Sequence, residues 1–399
     1  MKRLQALRKS LGFKDAEVAA AARWPLKRLR EIEDSDDPEA QEADILRDLY
    51  GVDIEGLLSE SEVTAKTSPV AGLLYSQSST LDADTRFSLA TSAIVAREVR
   101  HLQEMVGEGS PRELFESFRH NPDYAHPREG TPQRLAEKVR SDLQLGDEPI
   151  SSLSSDVLPR LGVLTLWERV APDVEAFSFI DSEGSPVFVL NLDGRHTRGV
   201  FGRRIALAHE LCHVLFDRPK MSSMGRMCEL DQPSRMRRDP MAAVEQRARA
   251  FAVHLLLPAA GVRRVWRGAG GDVAARIRLI METFGAGYEA VRSQLKNLGL
   301  YDLSTPVLGV PVHAPPVWEE SDPMPTLDPE LERAGVPIQR ATLLPGLVSR
   351  ALSQGKISES RARELLRVSV GGWEAARSRI IPPEGSVFRT SSRLLEADG

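Results

Sequence analysis

Cysteine is almost absent from this chain: Cys212 and Cys228 are the only two in 399 residues. Two thiols cannot build the cross-linked framework of a disulfide-stabilised domain, so the fold has to rest on apolar burial. Long apolar runs are missing as well. Nothing approaches the roughly 20 consecutive apolar residues that cross a bilayer as a helix. The start, MKRLQALRKSLGF, is basic but lacks the continuous apolar stretch of a secretory leader. These absences make cytoplasmic residence the expectation. An excess of positive charge is also lacking. The formal net charge of −5 exerts no global pull on nucleic acid, so any such contact has to come from a local basic surface. With 41% hydrophobic and 27% charged residues, wholesale disorder is not expected, and the length exceeds one compact core.

What is present begins with a string of short helical segments over residues 1–60. LQALRKSLG ends at Gly12, DAEVAAAA opens at Asp15, Pro25 leads PLKRLREIED, and EADILRDLYG closes at Gly51. Two short helices with a tight connection and further helices behind them read as a helix-turn-helix bundle. Arg23, Lys27, Arg28 and Arg30 are its candidates for phosphate or base contacts. LRKSLGFKDAEVAAAA, LREIEDSDDP and ILRDLYGVDIEGLL resemble the Xre/Cro-type helix-turn-helix family, which implies a DNA-binding module. Bulky Arg23 and Trp24 depart from the small or aliphatic residues common at that turn. Asp34, Asp36, Asp37 and Glu39 lie close by and oppose a duplex. The same segment also reads as a bundle for dimerisation or docking.

Residues 61–130 read as a helical connector. From Thr131 the pattern changes. PQRLAEKVRSDLQLG is an amphipathic helix, VLPRLGVLTLWERV runs from helix into strand, and EAFSFIDSEGSPVFVLNLD reads as a hairpin turning at Gly184. Two helices follow, GVFGRRIALAHELCHVLFD and MAAVEQRARAFAVHLLLP. Helix, small antiparallel sheet and paired helices predict an α+β domain over 131–260 in a mostly helical chain. A small helix-turn-helix-like cap is expected over 261–304, a proline-rich linker over 305–340 and a helical segment over 341–399.

The strongest chemical signal is HELCH at 209–213. Four-residue spacing puts His209 and His213 on one helix face, where two imidazoles can converge on one tetrahedral cation. Glu210 points to a neighbouring direction, suited to a general base acting on water. Apolar flanks, IALA before and VLF after, predict a buried helix, where such polar groups are costly unless satisfied. A histidine ten residues after His209 would mark a metzincin, but that position is Pro219. Asp217 and Glu245 are the remaining third-ligand candidates. Glu245 is the better one, because Ala248 and Ala252 on its helix face permit close approach to the HELCH helix. The expected ion is Zn2+.

RLAEKVRSDL at 134–143, PRLGV at 159–163, FVLNL at 188–192, RRIALAHELCH at 203–213 and EQRARAFAVHLLLP at 245–258 resemble the ImmA/IrrE family of metallopeptidases in order and spacing. The resemblance implies a zincin-like domain, His209, His213 and Glu245 as zinc ligands, and Glu210 as catalytic base. It also implies a substrate that is itself a helix-turn-helix repressor, cleaved to induce a stress, phage or defence-linked operon. The family often has glycine at the position of Cys212 and histidine at that of Asp217.

Three further readings concern this site. Cys228, between the two zinc helices, is a candidate inhibitory fourth ligand; it also reads as an ordinary loop thiol. VFVLNL is a candidate for binding substrate by strand addition. His196, Arg203, Arg204 and Tyr288 are oxyanion-donor candidates by residue type. The competing function is a non-proteolytic zinc-containing transcriptional regulator acting through residues 1–60, although an intact Glu210 is superfluous in a structural site.

Overall fold

The structure, a computed structural model, describes residues 2–52, 54–58, 81–109, 111, 113–119, 131–181, 183–217, 226–228, 240–301, 307, 310 and 313–381. It divides into two compact units. One comprises Met1–Arg100 with Gly109–Pro325, the other His101–Glu108 with Thr326–Gly399.

Apolar residues at three- and four-residue intervals shape the N-terminal bundle. Leu4, Leu7, Val18, Leu29 and Ile32 are all buried between α1 (Arg3–Ser10), α2 (Asp15–Ala22), α3 (Leu26–Ser35), α4 (Ala40–Tyr50) and α5 (Ile54–Leu58). Arg23, in the left-handed region at φ 57°, ends α2, and Pro25 caps α3. Inside the bundle Arg8 and Glu33 form a buried ion pair, and Arg8 also donates to the Phe13 carbonyl. The connector region supplies α6 (Ala83–Met105) and α7 (Glu113–Arg119). Arg86 on α6 donates to the Gly12 carbonyl and to Glu17, while Arg100 donates to the Gly162 and Pro186 carbonyls and to Asp181. This helix therefore ties the bundle to the sheet.

The sheet contains β1 (Leu164–Glu168), β2 (Ala176–Ile180), β3 (Pro186–Asn191) and β4 (Arg226–Cys228), in the order β1-β3-β2-β4. β2 and β3 form the expected hairpin, with Gly184 at φ 85° in its turn. β1, however, pairs with β3 in parallel, so the sheet is mixed rather than antiparallel. Every residue of β3 is buried, and a strand apolar on both faces takes the middle of a sheet. Both its edges are paired, which removes it as a site of strand addition.

Helix α8 (Thr131–Asp142) and helix α9 (Val200–Phe216) both pack against α10 (Pro240–Leu256). Ala248 and Ala252 are fully buried there. The cap region folds as α11 (Ala259–Gly268), α12 (Val273–Phe284) and α13 (Tyr288–Asn297). Residues 305–340, expected as a linker, instead carry α14 (Pro316–Ser321), α15 (Pro329–Arg333) and α16 (Ile338–Ala341). Their prolines stand at caps and first turns, where a missing N–H breaks no helix bond. In the second unit follow α17 (Leu344–Ser353), α18 (Glu359–Leu366) and α19 (Val370–Ile380), the last two N-capped by Ser358 and Ser369. None of the described helices is long and apolar enough to cross a membrane.

Candidate metal centre

Helix α9 is buried along almost its whole length, and its only strongly polar groups are those given a partner. His209 and His213, one turn apart, present their Nε2 atoms to each other at 2.9 Å. Glu245, from the first half of α10, places one carboxylate oxygen 3.2 Å from His209 Nε2 and the other 3.4 Å from His213 Nε2. All three contribute ligand atoms within 4.8 Å of one another. Bonds of about 2.0–2.1 Å around a tetrahedral zinc put ligand atoms roughly 3.3 Å apart, so the cluster fits a divalent cation. The protonation states fit as well. Burial pushes the His209 imidazole down to about 4, keeping it neutral. Although burial works against it, the hydrogen bonds to His209 and His213 hold the Glu245 carboxyl below the usual carboxylate range. Two imidazole nitrogens and one carboxylate oxygen form a metal-ligand set.

The outer contacts orient this set. His213 Nδ1–H donates to Asp217 Oδ2 at 2.8 Å, so that Nε2 is the ring nitrogen turned toward the cluster. Asp217 is in turn paired with the buried Arg247 of α10. Asp217, weighed as a third ligand, thus faces the far nitrogen of His213 and lies outside the ligand cluster. Glu210 is fully buried against the sheet, where the Ser178 hydroxyl of β2 donates to its Oε2. Ser178 and Arg247 escaped the sequence reading, since neither the hairpin pattern around Ser178 nor the EQRARAFAVHLLLP segment around Arg247 says what these side chains meet.

Beside the His209 imidazole opens a cleft of about 730 Å3, lined in part by His196, Arg249 and His313. Of the oxyanion candidates, His196 alone faces it. Arg203 and Arg204 are buried elsewhere: Arg203 donates to the Thr197 and Asp322 carbonyls and pairs with Glu319, and Arg204 donates to the Ile150 and Gly285 carbonyls and pairs with Asp322. They are structural ties rather than reaction groups. The Tyr288 hydroxyl accepts from the Val307 amide. Cys212 is fully buried, and burial pushes its thiol up to about 12. The backbone of Cys228 lies opposite Ala176 in the β2–β4 register, while its side chain lies outside the described residues.

In the N-terminal bundle, Lys27 pairs with Glu31 at 3.7 Å, Arg28 with Glu42 at 2.7 Å and Arg30 with Asp15 at 2.9 Å. Three of the four DNA-contact candidates thus have carboxylate partners within their own bundle, and Arg23 occupies the α2 C-cap.

No curated protein matches the chain significantly. The model of the Peptidase_M78 family, described as the IrrE N-terminal-like domain, matches residues 160–296. The match runs from the turn before β1 through α9 and α10 to the end of α13, and so encloses the His209, His213 and Glu245 cluster. Within those residues the chain carries a metallopeptidase domain of the ImmA/IrrE kind.

Proposed function

We propose that the chain is a zinc-dependent endopeptidase that cleaves a DNA-binding repressor or similar regulator and so induces a stress, phage or defence-linked operon. The observation that carries the hydrolytic part is the convergence of His209, His213 and Glu245 beside a buried Glu210. The repressor substrate is supported by the resemblance of the motifs to the ImmA/IrrE family.

His209, His213 and Glu245 would hold the zinc, which when bound supplies Lewis acidity that acidifies water and polarises a carbonyl. Glu210 takes the proton of the attacking water and delivers it to the leaving nitrogen. The Ser178 hydroxyl fixes one Glu210 oxygen and so directs the other toward the reaction. Asp217 holds the His213 ring in its ligand orientation. Backbone pairing with an extended substrate falls to β4, the outermost strand on the β2 side among the described residues. Residues 1–60 bring the peptidase to its target near DNA, with Lys27, Arg28 and Arg30 exchanging intramolecular carboxylates for phosphates and Arg23 adding a further positive charge. Cys228 is proposed as a thiolate brake on the metal; Cys228→Ala then raises basal cleavage, and unchanged activity removes the brake.

Incubation of the purified protein and Zn2+ with candidate repressors tests the central claim. Glu210→Gln should bind zinc normally and cleave about 10²- to 10⁴-fold more slowly. Equal cleavage by that variant would sink the assignment.

A further inference from the structure

The cleft beside His209 is larger than the breaking of one bond requires. Its volume of about 730 Å3 lies within the roughly 300–1,000 Å3 of pockets that enclose a whole small ligand. It extends from the metal centre toward the N-terminal end of α9. Val200, Phe201 and Ile205 of α9 and Val253 of α10 make it apolar. Gly287 and Ala290 of α13 also line it, and their small size leaves the space open. Arg195, Arg249, His196 and His313 also line it, together with Glu289 and Glu319. The Glu319 carboxylate is already matched by Arg203 at 2.8 Å and accepts from the Val200 amide.

One wall comes from residues 313–322, beyond the 160–296 match. This strap is firmly seated. Asp322 is 1% exposed and accepts from the Leu153 and Ser154 amides, the Ser152 and Ser154 hydroxyls and Arg204. Trp318 lies 4.5 Å over the Arg204 guanidinium and donates its indole N–H to the Glu282 carbonyl. Its ring fills the space that a Cβ on Gly285 would need.

We propose that the cleft is a subsite for a bulky apolar side chain of the protein substrate, and that the strap is its specificity-determining wall. The inference rests on the peptidase reading above and adds the class of residue selected. An apolar chamber continuous with the reaction centre holds a large side chain by removing it from water, and a substrate with alanine there leaves it unfilled. The expected preference for a large over a small side chain is about 10- to 100-fold.

The test uses the full-length, zinc-loaded Glu210→Gln protein and fluorescein-labelled pentapeptides, read by anisotropy. A peptide with one phenylalanine between glycines should bind about 10- to 100-fold tighter than its alanine counterpart. Ala290→Trp fills the chamber and should abolish the preference. Asp322→Asn loosens the strap and should reduce it. Both should bind zinc as the parent does in chelator competition, which shows that the domain remains folded. Equal binding of the phenylalanine and alanine peptides, or a preference that survives Ala290→Trp, overturns the proposal. Peptide-library cleavage by the unmodified enzyme separates the two readings. Glu210-dependent cleavage without apolar selectivity sinks the subsite and keeps the hydrolase. Selective binding with no Glu210-dependent cleavage keeps the subsite and sinks the hydrolase.

Discussion

Removing the carboxylate at position 217 tests whether His213 is held ready for a metal. Asp217 is 3% exposed, accepts from His213 Nδ1–H at 2.8 Å and pairs with the buried Arg247. Asp217→Ala leaves that N–H and the guanidinium without their carboxylate. Outer carboxylates of this kind contribute about 10- to 100-fold to metal affinity, or about 1.4–2.7 kcal/mol at roughly 1.36 kcal/mol per tenfold. A separate folding cost of about 3–5 kcal/mol is expected, because breaking a buried pair strands its partner. Asp217→Asn separates the two effects. It keeps an acceptor for His213 but loses the charge opposite Arg247, so it should retain more zinc affinity than the alanine variant while still losing stability. Zinc affinity is read by competition with a chromophoric chelator, and stability by urea unfolding with chelator in excess. An alanine variant that binds zinc like the parent but unfolds more easily would assign Asp217 to helix packing alone and refute the orienting role.

Three other outcomes follow from buried groups. Burial pushes His209 down to about 4, so between roughly pH 4 and 6.5 the unfolded chain takes up a proton that the folded metal-free protein does not. Metal-free stability should therefore rise with pH across that window, and a urea midpoint independent of pH there would contradict it. Cys212 is fully buried with its thiol pushed up to about 12, so a water-soluble disulfide reagent at pH 8 should leave it unmodified in the folded protein; rapid labelling mapped to Cys212 by mass spectrometry would show otherwise. Glu33→Ala strands Arg8 inside the N-terminal bundle and should cost about 3–5 kcal/mol, whereas a loss below about 1 kcal/mol in chemical denaturation would show the pair to be dispensable.

The metal cluster was legible because helix periodicity alone places His209 and His213 together, and because Ala248 and Ala252 signalled a close helix contact that brings Glu245 in. Both alanines are indeed fully buried. What surrounds the cluster was not legible, since it depends on long-range placement. Ser178 is one serine in a buried strand, and only the packing of β2 against α9 brings it to Glu210. Asp217 carried a local signal, four residues after His213, but spacing does not say which ring nitrogen it meets. The central position of β3 was concealed for a related reason. A run that is apolar on both faces identifies burial, not which strands flank it. Residues 305–340 misled through composition, because proline marks a linker and a helix start equally well, and the burial of Asp322 decides between them only in three dimensions.

Among helix pairs whose turns lie wholly within the described residues, three share one local signature. In each, a helix ends at a left-handed residue, three residues make the turn, and a second helix begins: Arg23 at φ 57° between α2 and α3, Gly285 at φ 61° between α12 and α13, and Arg367 at φ 55° between α18 and α19. Groove reading requires the N-terminal half of the second helix to be both accessible and cationic. The start of α13 fails the second condition, because Tyr288, Glu289 and Ala290 bring no positive charge there. The start of α19 fails the second, since Val370, Gly371 and Glu374 are exposed there and its arginines, Arg377 and Arg379, lie in the last turn. Only α3 meets both conditions, with Lys27, Arg28 and Arg30 in its first half and exposed side chains. Their carboxylate partners do not close that route, because surface ion pairs contribute only about 0–1 kcal/mol each and a duplex phosphate can replace them. The DNA-contact proposal therefore stands or falls with α3. If it holds, Arg28→Ala and Arg30→Ala should each weaken duplex binding and reduce its salt dependence by about one counterion, whereas substitutions at the start of α13 should alter the cleft and leave duplex binding unchanged.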